Sequence, residues 1–380
     1  MKFRIANFKY IIYLIILFGF FPAPYISFLY PNYIKLVEIM SILITFFLTI
    51  LRRKISKNFI YILSFLVWLL FSNILNNNQI GGVILLILKL LCIYLFYDYA
   101  LNYNKNILFK SNMIYFGILI LINFISIINY PFGLYTNLDG YTSNWFLGFK
   151  NSHIEYILLY LLFSFIYTFL KKEKLTIRNF LELFLAVFST IKVNNSTGLI
   201  GISLIITFLV LKKYIVKLKV FNAYNYFMTY IISFFSIIIF RIQNLFKILI
   251  VDTLHKDLTL TGRIYVWDDV LQYIKRKIFI GYGNKQYIFS KVIVGTHNSI
   301  LDILYKTGLV GITLYFFIII KCCYELKKCK SLISDFISFM LFSLFIMMLT
   351  EAYSYNLLFV IFSLCINLSN IYINEKESKK

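Results

Sequence analysis

Apolar runs of membrane-spanning length recur along this chain, and they leave few folds open. A bilayer span needs roughly 17–25 mostly apolar residues. Runs of that kind lie near 10–29, 34–51, 59–76, 80–100, 112–130, 153–170, 179–193, 198–211, 225–241, 300–320, 332–350 and 355–373, about twelve in all. Only helices and closed barrels satisfy every backbone group in lipid, and these runs are too long and continuous for barrel strands. Composition agrees, since 61% of the 380 residues are hydrophobic and 14% are charged, against about half and about a quarter in soluble domains. The expected fold class is an all-α polytopic membrane protein, with 1–380 as a single membrane domain.

A net charge of +22 could suggest nucleic acid, but its distribution argues otherwise. Lys and Arg fall in short clusters between apolar runs, not along one face or in a tail. With the N-terminus in the cytoplasm, Arg52-Arg53-Lys54, Lys105 with Lys110, Lys171-Lys172 with Arg178, Lys212-Lys213, Lys327-Lys328 and Lys379-Lys380 all fall inside. The opposite short loops, Asn76 to Gln79 and Thr350 to Tyr355, carry no Lys or Arg. This alternation sets the orientation, with both termini cytoplasmic. The first run resembles a signal peptide, but Pro22-Ala23-Pro24 is a poor cleavage site, so a retained helix is expected. Cys92, Cys322, Cys323, Cys329 and Cys365 show no C-x-x-C spacing. Three of them are expected in a reduced basic loop after residue 320.

One long polar interruption, 242–298, is the place to look for chemistry. The orientation puts it outside the cytoplasm. Trp267, Val270, Leu271 and Ile274 recur at helical spacing, with Asp268, Asp269, Gln272, Lys275 and Arg276 opposite. Such a helix would lie along the membrane surface with Trp267 at the interface. Thr261 is its expected N-cap, which puts Arg263 in the first turn. A helix start favours anions, and arginine grips phosphate bidentately, so a phosphate would explain the pairing. A solvated arginine is the alternative. Gly281-Tyr282-Gly283 allows close backbone approach to a ligand or simply stops the helix. His297-Asn298 precedes the tenth run, where Thr296, Asn298 or Ser299 can cap. His297 suits a general base at the water–lipid boundary, or is an interfacial histidine. Gly308 and Gly311 suggest close helix packing.

In order, Thr261-Gly262-Arg263, Trp267, Gly281-Tyr282-Gly283 and His297-Asn298-Ser299 resemble the O-antigen ligase and Wzy-type polysaccharide polymerase family. The resemblance covers 258–320 closely and the remainder by layout: about a dozen helices and one large external loop late in the chain, a GT-C-like membrane glycosyltransferase architecture. It implies a bacterial cytoplasmic-membrane enzyme acting on undecaprenyl-diphosphate-linked oligosaccharide, with a flippase and a chain-length regulator as partners. Arg263 then matches the arginine that contacts diphosphate, and His297 the essential histidine. Trp267, Gly281, Gly283 and Asn298 match supporting substrate-binding positions. Asn151 and His153 are similar to an asparagine-rich element before the sixth span. Where the family carries a Ser-Arg pair, this chain reads Asn195-Ser196-Thr197-Gly198, which leaves Lys192 to replace a second arginine.

The implied reaction transfers glycan to a sugar hydroxyl with inversion, His297 taking the hydroxyl proton and Arg263 the growing diphosphate charge. No cofactor is expected, and diphosphate leaves well enough that no metal is required. The sequence offers no carboxylate pair or His/Cys cluster for one. Polymerase and ligase differ only in acceptor. A flippase is the competing class, but it would place charge midway along its helices and need no long external loop. A shape-and-division glycosyltransferase would rely on an external Asp that has no match here. Of the other polar residues, Lys35 with Glu38 reads as a pair on one helix. Glu182 and Asp335 read as snorkelling or capping groups. Asp302 with Lys306 reads as either an ion pair or a cavity lining.

Overall fold

The computed structural model describes residues 2–52, 56–136, 143–171, 175–242, 262–285, 287–289, 292–293 and 295–369. Thr261, His255, Arg53-Lys54, Lys172 and the Lys379-Lys380 cluster lie outside them. The helices are α1 Lys2–Phe20, α2 Pro24–Leu29, α3 Pro31–Arg52, α4 Phe59–Leu75, α5 Ile80–Tyr103, α6 Lys105–Asn129, α7 Lys150–Leu170, α8 Ile177–Lys192, α9 Ser196–Ile215, α10 Ala223–Phe234, α11 Arg263–Arg276, α12 Ser299–Lys328, α13 Leu332–Met348 and α14 Tyr355–Ile366. Two short hairpins interrupt them: β1 Tyr135–Thr136 with β2 Ser143–Asn144, and β3 Ile288–Phe289 with β4 Val292–Ile293. A helix stands over every apolar run. Among the described residues six are long and apolar enough to cross a membrane, and shorter apolar helices accompany them. The chain is a polytopic all-α membrane protein.

Three expectations are corrected. The first run is two helices, because α1 ends at Phe20 and Pro24 opens α2 at its first position, where a missing N–H is tolerated. The tenth helix does not stop near 320. It continues to Lys328, with Lys321 and Glu325 paired at 2.8 Å one turn apart. Cys322 and Cys323 are therefore buried on a helix instead of lying in a loop. Lys35 is exposed; Glu38 pairs instead with Lys89 of α5 at 3.5 Å, joining two helices.

α1, α3, α5 and α6 pack as one group, while α13 gathers α7, α9, α10 and α12. α4, α5 and α14 join the two groups through α12. Glu182, expected to snorkel, is buried on α8. It accepts from Ser164 at 2.6 Å, Tyr160 at 3.1 Å and Asn179 at 3.2 Å, and Arg178 lies 3.3 Å away. A buried carboxylate needs such saturation.

α12 is broken at Gly308, where φ is +64° and ψ −166°. A break frees carbonyls one turn before it, and inside a membrane these must find protein partners. They do. The Tyr305 carbonyl accepts from Tyr282 N and the Lys306 carbonyl from Gly283 N, both at 2.8 Å. Ser72 Oγ also donates to Lys306 O, and Trp68 Nε1 donates to Thr307 O, each at 2.8 Å. Beyond the break, Leu309 N donates to Ile278 O at 2.7 Å. The 278–284 segment thus lies across the gap, and the polar end of α4 holds it there. Asn76 donates to Gly281 O and Asn78 to Tyr282 O, both at 2.9 Å, while Asn73 accepts from Asn284 N at 2.7 Å.

The fit leaves no room at Gly308, where a Cβ would stand 2.3 Å from the Phe279 carbonyl. Gly308→Ala is expected to destabilise the protein by about 2 kcal/mol or more. Trp68→Phe loses only one hydrogen bond, worth roughly 1 kcal/mol. Thermal unfolding of detergent-solubilised protein should rank wild type above Trp68→Phe and Trp68→Phe above Gly308→Ala.

Candidate functional site

A cavity of about 490 Å³ opens where four helices begin. Its wall includes Lys150 and Asn151 from the start of α7, Ser196 and Thr197 from the start of α9, Gly262 and Arg263 from the start of α11, and His297 just before α12. Each helix start leaves amides without intrahelical partners and carries partial positive charge. Arg263 and Lys150 add two full charges. The cavity is therefore built for an anion.

Local bonds fix these starts against one another. Asn195 caps α9, its Oδ1 accepting from Gly198 N at 2.7 Å, while its Nδ2 donates to Lys150 O at 2.7 Å. Asn298 caps α12, accepting from Leu301 N at 2.9 Å, and donates to Leu349 O at 3.0 Å. Ser299 Oγ donates to Glu351 O at 3.1 Å. The start of α12 is thereby fastened to the 349–351 turn that carries the acidic group of the site.

That group, Glu351, is the residue the sequence reading missed. One of its oxygens accepts from Arg263 Nη2, and the other lies 3.4 Å from His297 Nδ1. Its side chain is 8% exposed, against 23% for Arg263 and 32% for His297. A carboxylate can only accept, so in the His297 contact Nδ1 carries the proton. Nε2 is left with the lone pair, which is the form a general base needs. The same carboxylate supplies the anion that Arg263 was expected to meet at its helix start. Behind it, burial and then the Glu351 and Glu155 carboxylates push the Tyr353 hydroxyl well above its usual range. That residue stays neutral and adds no charge.

His297 itself has φ +49°. A left-handed non-glycine residue is strained by an amount on the order of 1 kcal/mol, and such residues cluster at functional sites. Here the bonds of Asn298 and Ser299 on one side hold it, together with Thr296 Oγ1 donating to Asn298 O at 3.1 Å.

The structure brings Arg263, His297 and Asn151 to this cavity and places the other expected site residues elsewhere. Trp267 is fully buried where α11 packs on α12, not at an interface, because the apolar face of α11 found protein instead of lipid. Asn298 is buried and spends both ends of its amide on capping and fastening. Gly281, at φ +74°, lies against the Lys306–Gly308 backbone, and Gly283 against Asn73 and Asn78. Both serve the crossing over the α12 break. His153 is buried, with Nε2 2.8 Å from Gly148 O and its ring edge-on to Trp145. Lys192 is exposed over the Phe188 ring, so the second cation on the cavity wall is Lys150. Gly262, not the expected Thr261, occupies the N-cap position of α11.

Two signals could have exposed the missed pair. Glu351 is the one charge between Thr350 and Tyr355, and Lys150 is the one lysine between the fifth and sixth runs.

Residues 181–316 match the family model described as O-antigen ligase (Wzy_C), a span from α8 to the middle of α12 that contains Arg263 and His297. No curated protein and no solved structure matches the chain. The likeness to that family thus falls on the part of the chain that supplies the arginine and histidine of the cavity.

Proposed function

We propose that this protein polymerises lipid-linked oligosaccharide repeat units into capsule, exopolysaccharide or O-antigen on the outer face of the bacterial cytoplasmic membrane. In this reading about twelve helices span the bilayer in a GT-C-like arrangement. Both termini are cytoplasmic, and 242–298 is the extracytoplasmic catalytic loop. The observation that carries it is Glu351 joining Arg263 to His297 on the wall of a cationic cavity made from four helix starts.

The diphosphate of an undecaprenyl-linked glycan occupies that cavity, against Arg263, Lys150 and the free amides of the helix starts. Arg263 exchanges Glu351 for a phosphate oxygen, a stronger bidentate partner. His297 Nε2 takes the proton from an acceptor sugar hydroxyl. The acceptor oxygen bonds to the anomeric carbon as the bond from that carbon to the diphosphate oxygen breaks, inverting the centre. The electron pair leaves with the lipid diphosphate, whose growing charge the cations stabilise. Glu351 holds the imidazole in the working tautomer and balances the imidazolium that forms. Asn151 faces the departing sugar. A flippase supplies the substrate, and a chain-length regulator is the further partner. The alternative acceptor is a lipid A core, as for a ligase, and the description of the matching family favours it.

Deleting the gene separates the two. Loss of a polymerase leaves single repeat units on undecaprenyl diphosphate, whereas loss of a ligase leaves polymer on it; finished polymer in its normal place would defeat both.

His297→Ala is expected to lower the transfer rate by about 10²–10⁴-fold, and Arg263→Ala by about 10²–10³-fold. Both proteins should remain in the membrane at wild-type level, and radiolabelled glycan transfer in vesicles measures the loss.

Glu351→Gln separates orientation from binding. It should slow turnover by about tenfold or more. With Arg263 no longer held by a carboxylate, undecaprenyl diphosphate should bind as tightly as to wild type or tighter. Weaker binding with unchanged turnover would contradict the role given to Glu351.

A further inference from the structure

A second cavity, of about 440 Å³, lies on the other side of the His297 turn. Thr296 lines this one and His297 lines the first. The left-handed backbone at His297 turns the chain between the two cavities. The two differ in chemistry. In the second, Asp302 and Lys306 pair at 2.6 Å and cancel, leaving the exposed Lys285 as a further cation. Three tyrosines, Tyr287, Tyr305 and Tyr355, add rings to the wall, and Asn284 and Thr296 add neutral polar groups. The rings are held in place. Tyr282 stacks on Tyr305 at 5.0 Å, Tyr287 donates to Asp269 at 2.5 Å, and Lys306 Nζ sits 5.4 Å from the centre of the Tyr355 ring. The Tyr355 hydroxyl is buried and has no hydrogen-bond partner among the described residues.

A diphosphate would find no gathering of helix starts here and, among the described residues, only Lys285 as a cation outside an ion pair. A sugar would find the partly exposed Tyr355 ring for a C–H surface, a carboxylate to accept from its hydroxyls, and an ammonium and an amide to donate. We propose that this cavity is the acceptor-glycan site, so that the sugar hydroxyl reaches His297 from the side opposite the lipid diphosphate. The assignment rests on the transferase reading given above. It divides the substrates by chemistry, with the anion in the cavity of helix starts and the neutral glycan among tyrosines around a self-neutralised ion pair.

The full-length protein in nanodiscs tests this with two probes. One is undecaprenyl diphosphate. The other is the free repeat-unit oligosaccharide, released from the cell's lipid-linked pool by mild acid. Asp302→Asn and Lys306→Gln should each weaken oligosaccharide binding by about tenfold and leave undecaprenyl diphosphate binding unchanged. Arg263→Ala should do the reverse. Hydroxyl-radical footprinting of the wild-type protein, which needs no variant to fold, should show the oligosaccharide protecting Tyr355, the partly exposed ring of the three. Oligosaccharide binding that survives both substitutions, or no protection of Tyr355, overturns the acceptor site and leaves the transferase reading standing. Undecaprenyl diphosphate binding untouched by Arg263→Ala counts against the transferase reading itself.

Discussion

The unmet backbone groups of a broken membrane helix govern this structure. Gly308 interrupts α12 about two and a half turns after its polar start, and the freed carbonyls of Tyr305, Lys306 and Thr307 need new partners. The 278–284 segment and the side chains of Trp68 and Ser72 answer them, and Asn73, Asn76 and Asn78 hold that segment in place. That solution determines where the extended loop returns to the bundle and how the first half of α12 is aimed. The direction of that half-helix in turn presents His297 beside Glu351 and Arg263.

The second organising fact is electrostatic. Helix starts are positive, and four of them meet at one cavity with Arg263 and Lys150. Such a concentration needs a counter-charge when no ligand is bound, and Glu351 provides it from a turn fastened to the cap of α12. The carboxylate also contacts the imidazole, so the group that neutralises the arginine orients His297 as well. In the proposed reaction, rearranging this one ion pair couples binding of the diphosphate to the state of His297.

Much of the fold was legible because lipid imposes a length and a composition on each helix, and every apolar run became one. The misreadings have physical causes. The first run broke because proline cannot continue a helix at Pro22 and Pro24. The tenth ran on past 320 because Lys321 and Glu325 neutralise one another across a turn. The amphipathic pattern of α11 gave its helix and its buried face correctly, yet amphipathicity does not say whether that face meets lipid or protein. Of the site, Arg263 and His297 were readable as an arginine at a helix start and a histidine before one. Glu351 was not, since it lies 88 residues from Arg263, and only tertiary structure brings them together. The glycines and Asn298 were noticed correctly as unusual, but what they serve is backbone crossing and capping.

The break at Gly308 has a mechanical consequence. The half-helix from Ser299 to Thr307 is bonded to the end of α4 and to the 278–284 segment, and that same segment also takes Leu309 N beyond the break. One short segment thus splints both sides of the joint. The bend that carries the His297 turn is set by this splint and not by the continuity of the helix.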